Sequence, residues 1–197
     1  MLEEPYKEVN KKSDIIFSGI FNSTSGINNI NQFIQAENIT KQINPRFGSI
    51  QLMSFRRGDL DVFLEDKIVK VFSDKDALFN ADGSTNVVAS NNVLGQSSPY
   101  AGEFGISKNP ESYAIYGFRS YFADKNRGVI LRLSGNGLEP ISRYGLEDFF
   151  RDKLAASDAV FGMFDENKKE YIVSFNNTKA VIENDTVSFK EDLNGWN

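Results

Sequence analysis

The fold is predicted most directly by residues 111–133, which read ESYAIYGFRSYFADKNRGVILRL. Apolar and polar residues alternate in three short runs, at 111–116, 118–122 and 128–133. Polar turn sequences, Tyr116-Gly117 and residues 124–127, separate the runs. Alternation with a period of two is typical of strands that bury one face, and short turns between such strands favour antiparallel pairing. The stretch therefore predicts a meander of three antiparallel strands.

The same pattern occurs twice more along the chain. The runs of the earlier copy are residues 49–53, 59–64 and 67–72, and those of the later copy are residues 159–164 and 170–175. Meanders that recur about every 40–50 residues are typical of propeller blades, which bury their faces against one another. The sequence therefore predicts a mostly β, propeller-like fold built from antiparallel meanders as partial or irregular blades. An insertion at about residues 74–110 is expected at a connection between blades.

A helical pattern interrupts the strands at residues 144–156. The apolar residues with helical spacing are Leu146, Phe149, Phe150 and Leu154. Glu147 and Asp148 fall in the first turn and Lys153 in the last, which suits the helix dipole. The pattern predicts one short amphipathic helix that packs on the end of a sheet.

The 197 residues suit one main domain. Residues 1–12 are polar and lack an apolar period, so they are expected to form an arm or linker. Residues 13–197 are expected to form a single β-rich, propeller-like domain. Within it, residues 21–31 are rich in Asn, Ser and Gly, which favour turns over helix.

The composition excludes several chemistries. The chain has no Cys and no His, so disulfides, thiol nucleophiles, Cys-ligated zinc and histidine bases are ruled out. The net charge is −5, whereas nucleic-acid binders need a surplus of Lys and Arg. No run approaches the roughly 18 apolar residues of a membrane span, and the charged first twenty residues are unlike a signal peptide. We expect neither nucleic-acid binding nor a membrane span.

The carboxylate clusters do not predict a catalytic or metal site. Residues 74–83 alternate acidic and other residues as a calcium loop does, but Leu78 occupies a ligand position and Ala89 stands where the final Glu belongs. A helical turn followed by an Asp-Gly turn is the expected structure. The acidic pairs Glu147/Asp148 and Asp165/Glu166 are adjacent in sequence and are interpreted as a helix start and a hairpin turn. We therefore expect no catalytic residue, cofactor or metal.

A family resemblance is carried by residues 92–152. The motifs are GEFGISKNPESY at 102–113, YGFRSYFADKNRGVILRLS at 116–134, Gly137-Leu138 and Ile141-Ser142. Together they resemble large virion structural proteins of tailed bacteriophages, namely the tail nozzle, muzzle and stabilisation-type proteins of crAss-like and related phages. The resemblance implies a propeller-like β domain at the distal end of a short tail, made in the host cytoplasm and assembled as a homo-oligomeric ring with other tail proteins. It implies no enzymatic residues.

The resemblance also bears on the extent of the chain. Such proteins are usually much longer, and a propeller needs at least four blades, whereas three copies of the meander are found here. We therefore expect a fragment or an excised domain. Trp196 agrees with this expectation, because an aromatic residue is costly to leave exposed near a terminus.

The predicted function is that of a non-enzymatic structural component of a phage tail. Its candidate interaction loop comprises Pro99, Tyr100, Gly102, Glu103, Phe104 and Gly105. Gly102, Gly105 and Gly117 are expected to allow positive φ or a close backbone approach. A glycan- or receptor-binding β module of a phage tail is the alternative function, and a carboxylate-dependent glycosidase is the third.

Overall fold

The computed structural model describes residues 10–19, 21–34, 36, 39–79, 85–177 and 185–197. This part of the chain is mostly β, with antiparallel sheets and one α-helix. The chain begins with β1 (Asp14–Ile16), β2 (Phe21–Asn22), β3 (Ile27–Asn28) and β4 (Thr40–Gln42). β1 pairs with β4 and β2 pairs with β3, so this region forms two short ribbons. A 3₁₀ turn at Pro45–Phe47 follows them.

Three four-stranded antiparallel meanders follow in chain order. The first sheet contains β5 (Ile50–Arg56), β6 (Asp59–Leu64), β7 (Ile68–Phe79) and β8 (Thr85–Pro99). The second contains β9 (Ala114–Tyr116), β10 (Arg119–Asp124), β11 (Val129–Ser134) and β12 (Gly137–Pro140). The helix α1 (Glu147–Ala156) precedes the third sheet, which contains β13 (Ala159–Asp165), β14 (Glu170–Asn176), β15 (Thr186–Lys190) and β16 (Gly195–Trp196). The predicted mostly β, propeller-like class of antiparallel meanders is confirmed.

Two sequence predictions are wrong in the stretch between the first two copies. Residues 74–79 and 85–99 are not a connection between blades, because they belong to β7 and β8 and pair with each other in one long hairpin. The helical turn expected from residue 74 is replaced by strand through Phe79. Pairing with a neighbouring strand overrides the local preference of the acidic residues for turns. The Asp-Gly turn at residues 82–83 lies outside the described residues.

The second sheet is buried on both faces. Residues 120–124 of β10 are all buried, although the strand alternates its side chains between the two faces. Phe122 faces the first sheet, where its ring meets that of Phe63 edge-on at 5.3 Å. Tyr121 faces the third sheet and stacks on Tyr171 at 5.1 Å. The three sheets are therefore stacked in chain order, as propeller blades are.

Apolar side chains fill both interfaces of the second sheet. The buried residues between the first and second sheets are Phe63, Ile68, Ile106, Phe122, Val129, Leu131 and Leu133. Those between the second and third sheets include Ala123, Ile130, Val160, Tyr171, Val173, Phe175 and Phe189. Gly162 of β13 allows a close approach here, because a Cβ at this position would lie 2.0 Å from the carbonyl oxygen of Ser112. The two interfaces hold the three sheets together through the burial of apolar surface.

The helix and the C-terminal tryptophan extend the second interface. Phe150 and Leu154 of α1 are buried in it, and Leu146 and Phe149 pack partly against it. The predicted amphipathic helix is confirmed, although it begins at Glu147 rather than residue 144. Trp196 is packed rather than exposed, since its ring lies 4.3 Å from Phe150 and its indole N–H donates to the Ile141 carbonyl at 2.9 Å. Trp196 is therefore packed by its own chain, and the interpretation of this residue as exposed is wrong.

A buried carboxylate joins the first two sheets. Asp124 at the end of β10 is fully buried and accepts hydrogen bonds from the Gly105 N–H at 3.0 Å and the Ser107 hydroxyl at 2.8 Å. It also accepts from the backbone N–H of Arg127 at 3.2 Å and from the Arg127 guanidinium at 3.0 Å. One side chain thus fixes both the linker after the first sheet and the turn between β10 and β11.

We expect Asp124→Ala to lower the free energy of unfolding by about 3 kcal/mol, because it leaves the buried donors of Gly105 and Ser107 without their acceptor. Asp165→Ala is the matched control. Asp165 is also the last residue of a strand, and its carboxylate accepts hydrogen bonds from the backbone N–H groups of Asn167 and Lys168 in the following turn. These hydrogen bonds are exposed. We expect the control substitution to lower the free energy of unfolding by about 1 kcal/mol or less. Urea denaturation measures both variants, and equal losses would contradict the role assigned to Asp124.

Candidate functional site

The predicted interaction loop connects the first and second sheets. Pro99 ends β8, and the loop then runs over the first sheet to the 3₁₀ turn at Pro110–Ser112. Pro99, Gly102 and Glu103 are exposed, whereas Tyr100 and Phe104 are half-buried and Gly105 is buried. The structure therefore divides the loop into an exposed rim and a buried side that contacts its own chain.

The buried side of the loop holds a polar network. The Arg56 guanidinium donates to Asp61 at 2.7 Å and to the Tyr100 hydroxyl at 3.0 Å. The Tyr100 hydroxyl donates to the other oxygen of Asp61 at 2.8 Å. Burial of the phenol, followed by the neighbouring Asp61 carboxylate, raises the pKa of Tyr100 well above its usual range. The network keeps Tyr100 in place as a neutral structural residue.

The rest of the loop is anchored to the first sheet. The Lys67 ammonium donates to the Gly102 carbonyl at 2.8 Å and to the Glu103 carboxylate at 2.7 Å. Phe104 packs against the apolar cluster between the first two sheets. Lys67 lowers the pKa of the exposed Glu103 carboxyl by donating a hydrogen bond to it. Only the exposed rim of the loop is thus available to a partner.

The glycine predictions are confirmed. Gly102 and Gly117 have φ values of 94° and 57°, in the left-handed region. Gly105 allows a close approach, since a Cβ there would lie 2.2 Å from the carbonyl oxygen of Glu65. Directly after Gly105, the backbone N–H groups of Ile106 and Ser107 donate to the carbonyl oxygens of Leu64 and Glu65, each at 3.0 Å.

The outer face of the third sheet exposes apolar side chains. We call Phe161, Met163 and Ile172 the third-sheet face. Phe161 and Met163 alternate along β13 with residues that face the second sheet, and their side chains are 47% and 58% exposed. Met163 lies opposite the half-buried Ile172 of β14. Exposed apolar side chains grouped on a sheet are typical of protein interaction surfaces.

The outer face of the first sheet is partly covered by the chain itself. Ile15, Ile43 and Phe47 from the N-terminal region pack on Leu64 and its neighbours. Met53 and Phe55 of β5 lie on the same face, opposite Val62 and Leu60, and remain 52% and 65% exposed. We call Met53 and Phe55 the first-sheet face.

The ribbon formed by β2 and β3 also carries exposed apolar residues. The exposed side chains of this ribbon and its flanks are Phe21, Ile27, Ile30, Phe33 and Ile34. The Gly19 N–H donates to the Gln32 carbonyl at 3.1 Å, which closes the ribbon at its base. A two-stranded ribbon is marginally stable alone, so contacts with another subunit would stabilise it.

Comparison with known proteins adds no family assignment. No family model matches the chain. No curated protein matches it at a significant level either. A function for this chain therefore has to be inferred from the geometry of the described residues and from the sequence motifs at residues 92–152.

The described residues offer no grouping of three or more acidic side chains that could hold a metal ion. The acidic pairs lie close to where the sequence predicts: Glu147 and Asp148 are in the first turn of α1, Asp165 is the last residue of β13, and Glu166 is in the hairpin turn that follows. The side chains of residues 74–83, the calcium-like segment, lie outside the described residues. Over the described chain, no helix has the length and apolarity that a bilayer crossing requires.

We expect Gly105→Ala to lower the free energy of unfolding by about 3 kcal/mol, because the new methyl group would collide with the Glu65 carbonyl oxygen. Gly117→Ala is the matched control. Its Cβ would meet no atom within 4 Å, so only the strain of its positive φ remains, about 1–2 kcal/mol. Thermal and urea denaturation measure the stability of the two variants. A greater loss of unfolding free energy in Gly117→Ala than in Gly105→Ala would contradict the close approach at Gly105.

Proposed function

We propose that the chain is a non-enzymatic structural component of a bacteriophage tail and that it assembles by binding further copies of itself. The observation that carries the assembly role is the exposed third-sheet face, because the second sheet of the same stack is covered on both sides. The phage context rests on the resemblance of residues 92–152 to nozzle and muzzle proteins. The wider partners are accordingly other virion proteins, and the location is the virion tail.

The partner of the third-sheet face is the first-sheet face of a second copy. Within the chain, the second sheet lies on the first and the third sheet lies on the second. Stacking a further sheet on the third would continue this series. The sheet that begins the series is the first sheet, whose outer face presents Met53 and Phe55. Both faces are apolar, so their contact would bury surface that is otherwise hydrated.

This contact is heterologous, because two different faces meet. A heterologous contact that repeats forms a ring when its rotation closes and an open filament when it does not. Adjacent blades in a propeller are related by a rotation about a central axis, so repetition of this stacking favours a closed assembly. The proposed ring thus follows from the same packing that joins the sheets of one chain.

We expect the wild-type chain to form a discrete oligomer that Phe161→Asp/Met163→Lys reduces to monomers, since charges on the third-sheet face must be desolvated on contact. Size-exclusion chromatography with light scattering, over a range of concentrations, measures the mass. Leu193→Lys is the matched control because Leu193 is an exposed apolar residue outside both faces. A wild-type monomer at every concentration would contradict the proposal.

Mixing two variants tests whether the contact is heterologous. Met53→Lys/Phe55→Asp lacks the first-sheet face and should also be monomeric. A mixture of this variant with Phe161→Asp/Met163→Lys retains one intact face on each chain, so heterodimers and no larger species are expected. An isologous contact between third-sheet faces would leave the Met53/Phe55 variant oligomeric, and that result would overturn the head-to-tail arrangement.

A further inference from the structure

A cleft lies where turns of the first and second sheets meet. It has a volume of about 450 Å³, within the usual range for small-molecule sites. Arg57 contributes from the turn between β5 and β6, Phe118 from the turn between β9 and β10, and Asn136 from the turn between β11 and β12. We call this the arginine cleft. It shares no residue with the first-sheet or third-sheet face, so it is a separate surface.

The arginine cleft is cationic in an acidic protein. Its lining includes Arg57, Arg119 and Arg132 but no carboxylate, although the whole chain has a net charge of −5. Walls that carry one sign of charge concentrate ligands of the opposite sign. The electrostatics of the cleft therefore favour an anion.

Two of the three arginines are held by carboxylates outside the lining. Glu191 accepts from Arg119 at 2.8 Å and from Arg132 at 2.7 Å, and Glu139 accepts from Arg132 at 2.6 Å. Burial opposes the charged form of Arg132, but the hydrogen bonds to Glu139 and Glu191 outweigh it and raise its pKa. These ion pairs fix the guanidinium groups in the wall and partly neutralise them.

Among the described residues, Arg119 and Arg132 pair with carboxylates, whereas Arg57 does not. Its guanidinium carbon lies 5.1 Å from the centre of the Phe118 ring, in a cation–π contact. Gly135 makes room for it, since a Cβ there would lie 2.8 Å from an Arg57 nitrogen. The cleft thus contains a positioned guanidinium whose hydrogen-bond donors are not committed to a carboxylate.

The remaining lining suits a sugar ring. Phe118 is 62% exposed, and its position is fixed by the Arg56 guanidinium, which donates to the Phe118 carbonyl at 2.9 Å. An exposed aromatic ring can pack against the apolar face of a sugar. Ser134 and Asn136, also in the lining, supply a hydroxyl and an amide for hydrogen bonds to sugar hydroxyl groups.

We propose that the arginine cleft binds a sugar unit that carries an oxyanion, either a carboxylate or a phosphate, with Arg57 as its main charged contact. Planar guanidinium groups bind both oxyanions through paired hydrogen bonds. The sugar ring packs on Phe118, and its hydroxyl groups bond to Ser134 and Asn136. This binding is independent of self-assembly, since neither proposed assembly face contributes to the cleft.

Arg57→Asn is a variant that removes the guanidinium without threatening the fold. Arg57 and Gly58 form a two-residue hairpin turn with φ values of 55° and 81°. Positive φ at both central positions favours Asn-Gly, so Asn at position 57 suits the turn better than Arg. Arg143→Asn is the matched control, because Arg143 is an exposed arginine outside the cleft.

Isothermal titration with glucuronate, glucose 6-phosphate and glucose tests the proposal on the full chain. We expect the affinity for at least one of the two acidic sugars to exceed the affinity for glucose by about tenfold or more. The Arg57→Asn substitution should lower this affinity by about tenfold or more, whereas Arg143→Asn should leave it unchanged. Preference for glucuronate or for glucose 6-phosphate identifies the oxyanion. Absence of binding by both acidic sugars, equal binding of all three, or unchanged affinity in Arg57→Asn would overturn the proposal.

Discussion

Burial of both faces of the second sheet is the constraint on which the rest of the structure depends. A strand usually has one solvated face, but residues 120–124 of β10 are all buried, with Phe122 packed toward the first sheet and Tyr121 toward the third. Removal of either outer sheet would expose one of these faces to water. The three meanders therefore stabilise one another, because separating them would expose apolar surface to water.

Polar contacts fix the geometry that apolar burial alone would leave adjustable. Asp124 joins the linker at Gly105 and Ser107 to the turn at Arg127, and Arg56 connects Asp61, Tyr100 and the Phe118 carbonyl. Buried polar groups need their partners, so each network allows one arrangement of the loops. The Arg56 network also positions the turn at Phe118, which forms part of the arginine cleft.

A stack of similar sheets can always accept a further sheet on its outer faces. The outer faces of the first and third sheets are therefore both partly exposed. The third-sheet face is the next position in the stack, whereas the N-terminal region covers part of the outer face of the first sheet. The turns at the sheet ends are not used for stacking and can hold Arg57 and Phe118 in a cleft. The proposed assembly and the proposed ligand binding would therefore use separate parts of the same fold.

The sequence by itself determined the helix and most strands of the meanders, but not the fourth strand of each sheet, because alternation within residues 111–133 and the spacing of Phe150 and Leu154 are local properties of the chain. Only the tertiary structure decided which faces are covered, since that depends on contacts between distant segments. Residues 74–79 became strand by pairing with β8, and Trp196 found a site beside Phe150. The arginine cleft was equally hidden in the sequence, because Arg57 of the first sheet meets Arg119 and Arg132 of the second sheet only when the two sheets stack.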